Sequence, residues 1–400
     1  MRDPEVSTST VVSRAPTSGP EPKGMPVLRA DAADSCPAGQ TVRVLMGLVD
    51  QAQAGGVFAA ERSMIRGLES IGGVEVVPFM FGSRSAGAPF GKRLFRLLRD
   101  VVDFGRMLVR ERPDVVHLNS AYNRNALGRD VLYLLIAKAL RRRVFLKYHG
   151  SDARALADGG GSWRALTRVV VSLSAKVGLL SMEELKNFVA AGSPRHRFAV
   201  VRNAVDVDRF ATAAASHQRG GLLFIARLIR PKGLADLLDA VALLQQRGVH
   251  APLVCVGDGP EMTEARERAR LLGLGDAVAF TGQLPEDDTV ARYQAASILV
   301  LPTYHQEGFP MTILHGMAAG MAVVTTRIRA AADYLREPEH CLWVLPRNPV
   351  SIADALERLL GDPEECRRMG RANMERAREF RGEVVAREYR DLYRSIVEEF

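Results

Sequence analysis

The chain has 400 residues, which is too long for one small core and predicts two domains of about 150–200 residues each. Hydrophobic residues make up 47% and charged residues 25% of the sequence, a globular balance that excludes wholesale disorder. Its apolar runs are too short for a membrane span, no secretory leader opens it, and its four cysteines lack zinc-site spacing, so we expect a soluble cytoplasmic protein.

Positive charge is concentrated in the first half of the chain. Residues 41–212 carry a net charge of +12, whereas residues 1–40 carry −1 and residues 213–400 carry −3. A basic domain joined to a slightly acidic one predicts that the basic domain faces an anionic partner, such as a membrane surface or a phosphorylated lipid. Aromatic residues are only 6% of the chain and do not interleave with the basic ones, so we expect no nucleic-acid partner.

The first half of the chain alternates short apolar strands with helices. Residues 1–40 are rich in Ser, Thr, Pro, Ala and Gly without periodicity, which predicts a disordered tail. After a Gly55-Gly56 turn we predict a helix at 57–68, and a basic helix at 92–112 that ends at Pro113. Strands are predicted at 42–49, 74–79, 114–118, 144–148, 177–180 and 198–201. This alternation is typical of a parallel, doubly wound sheet.

The same pattern restarts after a polar hinge at 206–220. Strands are predicted at 221–226, 253–256, 278–281, 298–302 and 322–326, and helices at 233–246, 260–272, 287–296 and 310–320. The helical end, 351–400, is expected to pack back across the first domain. We therefore predict an α/β protein with two doubly wound Rossmann-like domains that face a central cleft, where ligands of such sheets bind.

Two loops of the second half are candidates for binding a phosphorylated sugar. Segment 307–312 follows one strand and opens a helix, so its backbone N–H groups suit a phosphate, and Glu307 would accept hydrogen bonds from hydroxyls. Arg227 and Lys232 lie between another strand and helix and could neutralise a diphosphate. An ordinary turn with an exposed Glu, and two solvated bases on a loop, explain the same residues without a ligand.

Weaker signals come from three strand ends and one helix. Gly257 and Gly259 close a strand without a full dinucleotide fingerprint, and a tight turn explains them equally well. Phe280 could shape the floor of a nucleotide-base pocket. His149, at the end of a strand, would face the cleft, although a structural histidine is the simpler hypothesis. The basic helix at 92–112 fits either an anionic membrane surface or a solvated domain face.

Taken in order, these segments resemble the family 4 retaining glycosyltransferases, which have the GT-B fold. The resemblance covers about residues 41–400, and the order and spacing of its motifs are specific. It rests on Gly55-Gly56, 113–117, 149–152, 203–206, Arg227 with Lys232, 256–260 and 307–310. It implies an acceptor-binding domain at 41–212, a nucleotide-sugar-binding domain at 213–375, and a last helix at 376–400 that crosses back to the first domain.

The resemblance also implies roles for individual residues. Arg227 and Lys232 would hold the donor diphosphate and stabilise the leaving nucleoside diphosphate in place of a metal ion, so no metal or other cofactor is expected. Glu307 would bind hydroxyls of the donor sugar, and His149 would contact the sugar near the reacting carbon. Further donor contacts would come from Gly55, Gly56, Gly257, Gly259, Phe280, Gly308, Phe309, Pro310, Met311, Thr312 and His315.

One position departs from the family pattern. His315 stands where the family places a second glutamate that binds the nucleotide ribose, and an imidazole offers fewer acceptor positions than a carboxylate. The resemblance implies hexose transfer from a UDP- or GDP-sugar to a lipid-linked or polysaccharide acceptor in cell-surface glycan synthesis, by a cytoplasmic enzyme peripheral on the inner face of the membrane. A non-catalytic or partner-dependent sugar-nucleotide-binding protein and a sugar-nucleotide epimerase remain alternatives on the same architecture.

Overall fold

The computed structural model describes residues 41–48, 55–80, 90–152, 155–156, 160–211, 219–306 and 308–399. The predicted tail at 1–40, residues 212–218 of the predicted hinge, and Glu307 lie outside the described residues. Both sheets described below belong to one compact unit, Gly39–Phe400.

A parallel sheet forms the first half of this unit. Its strands are β1 (Val42–Leu48), β2 (Val74–Met80), β3 (Val115–Ser120), β4 (Arg143–Tyr148), β5 (Lys176–Leu179) and β6 (Phe198–Val200). They pair in the order β2-β1-β3-β4-β5-β6. The helices are α1 (Gly56–Ile71), α2 (Phe90–Glu111), α3 (Arg124–Ala139), α4 (Gly160–Leu173), α5 (Met182–Ala190) and α6 (Val207–Ala211). Helices cover both faces, so the central strands β3 and β4 are buried almost throughout, including their polar residues.

The second half repeats this arrangement. Its strands are β7 (Leu222–Ile225), β8 (Leu253–Val256), β9 (Val278–Gly282), β10 (Ile298–Leu301), β11 (Ala322–Thr326) and β12 (Leu342–Val344). They pair in the order β12-β11-β10-β7-β8-β9, again in parallel. The helices are α7 (Leu234–Gln246), α8 (Met262–Leu271), α9 (Glu286–Ala295), α10 (Met311–Ala318) and α11 (Arg329–Tyr334). The prediction of two doubly wound parallel sheets is confirmed.

The strand orders locate the ligand-binding edge of each sheet. In the first sheet β2 lies on one side of β1 and β3 lies on the other, so the strand order reverses between β1 and β3. In the second sheet the strand order reverses between β7 and β10. Loops on either side of such a switch point diverge and leave a crevice at the carboxyl ends of the strands, where ligands bind. The loops that follow β7 and β10 carry Arg227, Lys232 and the 308–312 segment.

The chain ends in three helices, α12 (Pro349–Gly361), α13 (Pro363–Ala377) and α14 (Gly382–Glu398). Helix α14 follows the second sheet in sequence but packs in the core of the first domain, where Val385, Tyr389 and Ile396 are fully buried. The hydroxyl of Tyr393 lies 2.7 Å from Nδ1 of His117 in β3. The first domain is therefore completed by the last residues of the chain.

Helices α1 and α14 approach each other closely at two glycines. A Cβ atom built on Gly67 of α1 would collide with the backbone carbonyl of Gly382, so no larger residue fits without moving one helix. We expect Gly67→Ala to destabilise the fold by about 1–3 kcal/mol, because overpacking forces the backbone apart. Urea unfolding of the purified variant measures this effect.

Gly128 in α3 provides the matched control, since a Cβ atom built there meets nothing within 4 Å. Gly128→Ala should leave stability unchanged or raise it by about 0.5–1 kcal/mol, the ordinary gain of alanine over glycine inside a helix. Equal shifts of the unfolding midpoint in both variants would contradict the close α1–α14 contact.

Candidate functional site

The loops that follow β7 and β10 are joined by hydrogen bonds at the switch point of the second sheet. The N–H of Tyr304 donates to the carbonyl of Pro231 at 2.8 Å, and the hydroxyl of Thr303 donates to the same carbonyl at 3.1 Å. Pro231 precedes Lys232, so these bonds fix the lysine beside the β10 loop. The side chains of both loops therefore act in one place.

Three basic side chains gather at these loops. Lys232 is only 7% exposed, and burial lowers the pKa of its ammonium to about 8. His305 has its pKa lowered by burial first and then by the positive charges of Lys232 and Arg227. Arg227 itself is exposed. Such a concentration of positive charge in a partly desolvated crevice is chemically suited to an anion such as a diphosphate.

Gly257 and Gly259 lie directly against the loop that carries Arg227. A Cβ atom on Gly257 would collide with the carbonyl of Ala226, and one on Gly259 with that of Leu228. The N–H of Leu228 also donates to the carbonyl of Asp258 at 2.9 Å. The two glycines thus bring the β8 loop against the backbone of the Arg227 loop, which is a sufficient structural reason for both of them.

The predicted donor residues around α10 supply side chains that hold the helix in place and backbone N–H groups at its start. Phe309 is buried and stacks on Tyr334 at a centroid distance of 5.5 Å, while the hydroxyl of Thr312 donates to the carbonyl of Ile225 at 3.1 Å. These side chains hold the helix on the second domain. Pro310 precedes α10, and no side chain in the described part of the chain caps this helix start. The N–H of Ile313 in the first turn donates to the carbonyl of Pro310 at 3.0 Å, and the positive end of the helix dipole at Met311 and Thr312 favours an anion.

His315 and Phe280 both make aromatic or cationic contacts, and Phe210 of α6, on which His315 stacks, packs in the core of the second domain. The imidazole of His315 stacks on Phe210 at 4.4 Å and meets the edge of Tyr293 at 5.6 Å. Burial, with a smaller effect of Arg209, lowers the pKa of His315 to about 4, so the ring is neutral at pH 7. The guanidinium carbon of Arg266 lies 5.5 Å from the ring centroid of Phe280.

In the first domain, His149 follows β4 and is held by Asn119 of β3. The amide N–H of Asn119 donates to the carbonyl of Gly47 at 3.1 Å, which turns its oxygen towards Nε2 of His149 at 2.8 Å. Because that oxygen can only accept, Nε2 carries the proton. The other ring nitrogen, Nδ1, is buried and has no hydrogen-bond partner among the described residues.

The environment of His149 keeps its ring neutral. Burial lowers the pKa of His149 well below 6.5, and the charge of Lys147 lowers it further. A neutral ring with its proton fixed on Nε2 presents an acceptor at Nδ1. His149 is therefore prepared to accept a hydrogen bond from a donor such as a sugar hydroxyl.

A buried ion pair that the sequence patterns do not predict lies beneath His149. Lys147 of β4 and Glu61 of α1 are almost completely buried, and their charged atoms are 2.6 Å apart. The same carboxylate oxygen lies 3.7 Å from Nε2 of His149. A lysine inside the apolar strand β4 was the only sequence signal, because a buried charge requires a partner.

Glycines also stand where the two domains meet across the cleft. A Cβ atom on Gly56, at the start of α1, would lie 2.9 Å from Cγ of Met311 in α10. A Cβ atom on Gly308 would collide with the side chain of Leu180, in the first domain. Gly55 is exposed and precedes α1 in an extended conformation. The structure thus brings Gly56 to Met311 and Gly308 to Leu180.

Two further properties concern metal ions and membranes. Within the described ranges, no group of three or more His, Cys, Asp or Glu side chains could hold a metal ion. None of the described helices is long and apolar enough to cross a membrane.

Two family models together match most of the chain. The model described as "Glycosyl transferase 4-like domain" matches residues 29–204, and the model described as "Glycosyl transferases group 1" matches residues 210–376. The chain belongs to the family 4 glycosyltransferases of the GT-B fold. The resemblance predicted from the order of the motifs is confirmed.

Curated relatives in this family match about half of the chain. A D-inositol 3-phosphate glycosyltransferase of Corynebacterium urealyticum is 33% identical over 223 residues, which cover 51% of this chain and 52% of the relative. A GDP-mannose-dependent alpha-(1-6)-phosphatidylinositol monomannoside mannosyltransferase of Mycobacterium tuberculosis is 27% identical over 215 residues, which cover 50% and 56%. The chain thus spans about half the length of the curated relatives it matches.

A solved structure matches nearly the whole fold of this family member. The structure of HepE from Anabaena, in complex with UDP and glucose, covers 88% of this chain and 100% of its own, with a TM-score of 0.67 and 17% identity. At that level of identity the likeness shows the GT-B fold alone.

The state of His149 provides a direct test of the site geometry. We expect its imidazole to be neutral at pH 7 with the proton on Nε2, because burial and the nearby cation oppose protonation. Nitrogen-15 NMR of the labelled ring measures both the charge and the tautomer. Asn119→Asp should raise the pKa of His149, since it places a carboxylate where the amide oxygen now lies at 2.8 Å. A ring in the wild-type chain that is protonated at pH 7 contradicts this assignment.

Proposed function

We propose that this chain transfers a hexose from a UDP- or GDP-sugar to a lipid-linked or polysaccharide acceptor in cell-surface glycan synthesis. The observation that carries the proposal is the pair of cations, Arg227 and Lys232, that lies with the neutral ring of His305 at the switch point of the second sheet. HepE, of the same fold, is in complex with UDP and glucose, and the mycobacterial relative is GDP-mannose-dependent, so both nucleotides stay in the proposal.

The proposed reaction relies on stabilising the leaving group. As the bond between the sugar C1 and the diphosphate oxygen breaks, negative charge grows on the nucleoside diphosphate. Lys232 and Arg227 would neutralise that charge without a metal ion, and the burial of Lys232 makes its field less screened than in water. A new bond forms between C1 and the acceptor oxygen, the O–H bond of the acceptor breaks, and its proton passes to the released diphosphate. We propose that the configuration at C1 is retained.

The first domain would orient the sugar and carry the acceptor. Nδ1 of His149 is a buried acceptor and would receive a hydrogen bond from a hydroxyl of the donor hexose. Glu307 is proposed to bind other hydroxyls of the same sugar from the second domain. The net charge of +12 over residues 41–212 favours an acceptor with phosphate groups, such as a polyprenyl-phosphate-linked saccharide.

We also propose that the first domain binds peripherally to the anionic inner face of the membrane. Along α2, the side chains of Phe95, Leu98, Val102 and Val109 are each more than half exposed. They recur at a spacing of three to four residues or its multiples, so they form one apolar stripe along the helix. Arg99 and Arg106 are exposed and lie one turn from members of this stripe. An apolar stripe beside arginines suits a surface of anionic lipids.

The donor site is tested by calorimetric titration with UDP-, GDP-, ADP- and dTDP-sugars. We expect saturable binding of a UDP- or GDP-sugar, weakened about tenfold to a hundredfold in Lys232→Ala because a charge-assisted hydrogen bond is lost. Lys232 is protonated below its pKa of about 8 and uncharged above it, so affinity should fall as the pH rises through 8. Lys232→Arg should remove this pH dependence.

Arg230 provides the control for this experiment, because it lies in the same turn but its charge acts on the carboxylate of Asp236 in α7. Arg230→Ala should keep the wild-type affinity. Replacing Glu307 by Ala should abolish release of the nucleoside diphosphate without unfolding the chain. Wild-type protein that binds none of the four series, or full turnover in both Lys232→Ala and Glu307→Ala, contradicts the proposed function.

Membrane binding is tested by co-sedimentation with vesicles that contain phosphatidylglycerol. We expect the double variant Leu98→Glu, Val102→Glu to bind these vesicles several-fold less than wild type, since it places charge in the apolar stripe. Binding should also decline with added salt. Leu271→Glu is the control, because Leu271 is even more exposed than Leu98 and Val102 but belongs to the second domain. An equal loss of vesicle binding in the double variant and in Leu271→Glu contradicts the membrane proposal, and so does a wild-type chain that does not bind the vesicles.

A further inference from the structure

Arg329 is an unusual residue at the interface of the two domains. It begins α11 with a φ of +50°, in the left-handed region that favours glycine, and its side chain is only 2% exposed. A buried arginine in a strained backbone conformation persists only where its surroundings hold it firmly, and such residues cluster at functional sites. The contacts of its side chain show what holds it.

Most of these contacts cross from the second domain to the first. The Nη2 group of Arg329 donates to the backbone carbonyl of Ser151 at 2.6 Å, and its Nε lies 3.2 Å from the carboxylate of Glu183. The backbone N–H of Arg329 donates to the other oxygen of Glu183 at 3.1 Å. Glu184, which is completely buried, lies 3.6 Å from Nη1. One residue thus binds both a loop and a helix start of the opposite domain.

A second residue of α11 also contacts the start of α5 in the first domain. Asp333, also in α11, accepts a hydrogen bond from the N–H of Met182 at 2.7 Å, at the first residue of α5. We call Glu183, Glu184, Arg329 and Asp333 the interdomain clasp. Its buried carboxylate, Glu184, accepts the hydroxyl of Ser151 at 2.8 Å. The clasp therefore fixes the backbone that directly follows His149.

The same guanidinium also reaches the β10 loop. Its Nη2 donates to the side-chain oxygen of Gln306 at 3.1 Å, and the N–H of Ala330 donates to the carbonyl of Gly308 at 3.3 Å. Ser151 and Gln306 come from different domains, and one planar group with several fixed donors joins them. A lysine has a single charged nitrogen and cannot reproduce this fork.

We propose that Arg329 is a positioning residue that sets the distance between the His149–Ser151 loop and the donor loop of the second domain. This inference rests on the proposed function, in which His149 and Glu307 bind the two sides of one hexose. The bases that would bind the diphosphate lie wholly within the second domain. Loss of the Arg329 side chain therefore changes the position of the bound sugar and leaves the diphosphate site intact.

The experiment compares Arg329→Ala, Arg329→Lys and Arg329→Gly with wild type. Calorimetry measures affinity for the free nucleoside diphosphate and for its sugar nucleotide, and a coupled assay measures nucleoside diphosphate release with water as acceptor. We expect affinity for the free diphosphate to stay within about twofold, while kcat for release falls about a hundredfold, the effect of roughly 1 Å of misplacement. Arg329→Lys should remain close to Arg329→Ala, because the fork is lost in both.

Two further measurements separate positioning from a general loss of stability. Arg329→Gly relieves the strained φ but removes the guanidinium. Its melting temperature should therefore be higher than that of Arg329→Ala, while its kcat should be equally low. Small-angle X-ray scattering should give Arg329→Ala a larger radius of gyration than wild type. The control is Arg141→Gly, at an exposed arginine with a φ of +54° in the first domain, which should keep wild-type kcat and radius.

Different outcomes contradict the positioning role of Arg329 and the proposed transferase function. Wild-type kcat, sugar-nucleotide affinity and radius of gyration in Arg329→Ala, beside an active wild type, overturn the inference alone. A proportional loss of free diphosphate affinity and kcat also overturns it, because a positioning role predicts that the two separate. Wild-type chain that binds no sugar nucleotide overturns the proposed function, and the assignment of Arg329 with it.

Discussion

The burial of charge beside the cleft is the constraint on which the rest of the structure depends. Glu61 and Lys147 are buried as a pair under His149, and Glu184 is buried with Arg329 from the opposite domain. Buried charges are tolerated only when they are paired and hydrogen-bonded. Lys232 shows the cost of burial in its pKa of about 8, and an anionic ligand would offset that cost. The requirement that each buried charge has an opposite charge beside it thus applies within the first domain, between the two domains and at the proposed donor site.

Close backbone contacts bring these charges to their positions. Gly257 and Gly259 allow the β8 loop to touch the loop of Arg227, and Gly56 allows α1 to reach Met311 across the cleft. In the first domain, the contact between Gly67 and Gly382 seats α14 against α1. Several glycines that resemble ligand-binding residues in the sequence therefore also serve the packing. The two explanations are compatible, because a loop must be close-packed before it can present its N–H groups in a fixed place.

The regular elements were predictable from sequence, and the long-range side-chain pairs were not. Strands 253–256 and 322–326 were predicted with the bounds that the structure has, since both are apolar runs between clear turns. Strand β12 has three residues and α11 has six, too few for a periodic pattern. The partners of Lys147 and Arg329, Glu61 and Glu184, lie far away in the chain, so local patterns gave no signal for them. The placement of His149 at a strand end followed from the rule for parallel sheets.

The histidines near the cleft limit the chemistry that the first domain can supply. Burial lowers the pKa of both His117 and His149, and Asn119 holds the proton of His149 on Nε2. A ring that is neutral at pH 7 and fixed in one tautomer is a good hydrogen-bond acceptor at Nδ1 but a weak base towards a reacting hydroxyl. In the proposed reaction His149 therefore orients the sugar, and the charge that develops on the leaving diphosphate must be balanced by the cations of the second domain. In the proposed reaction the first domain thus contributes a hydrogen bond from His149 to the sugar, and the second contributes the cations that face the diphosphate.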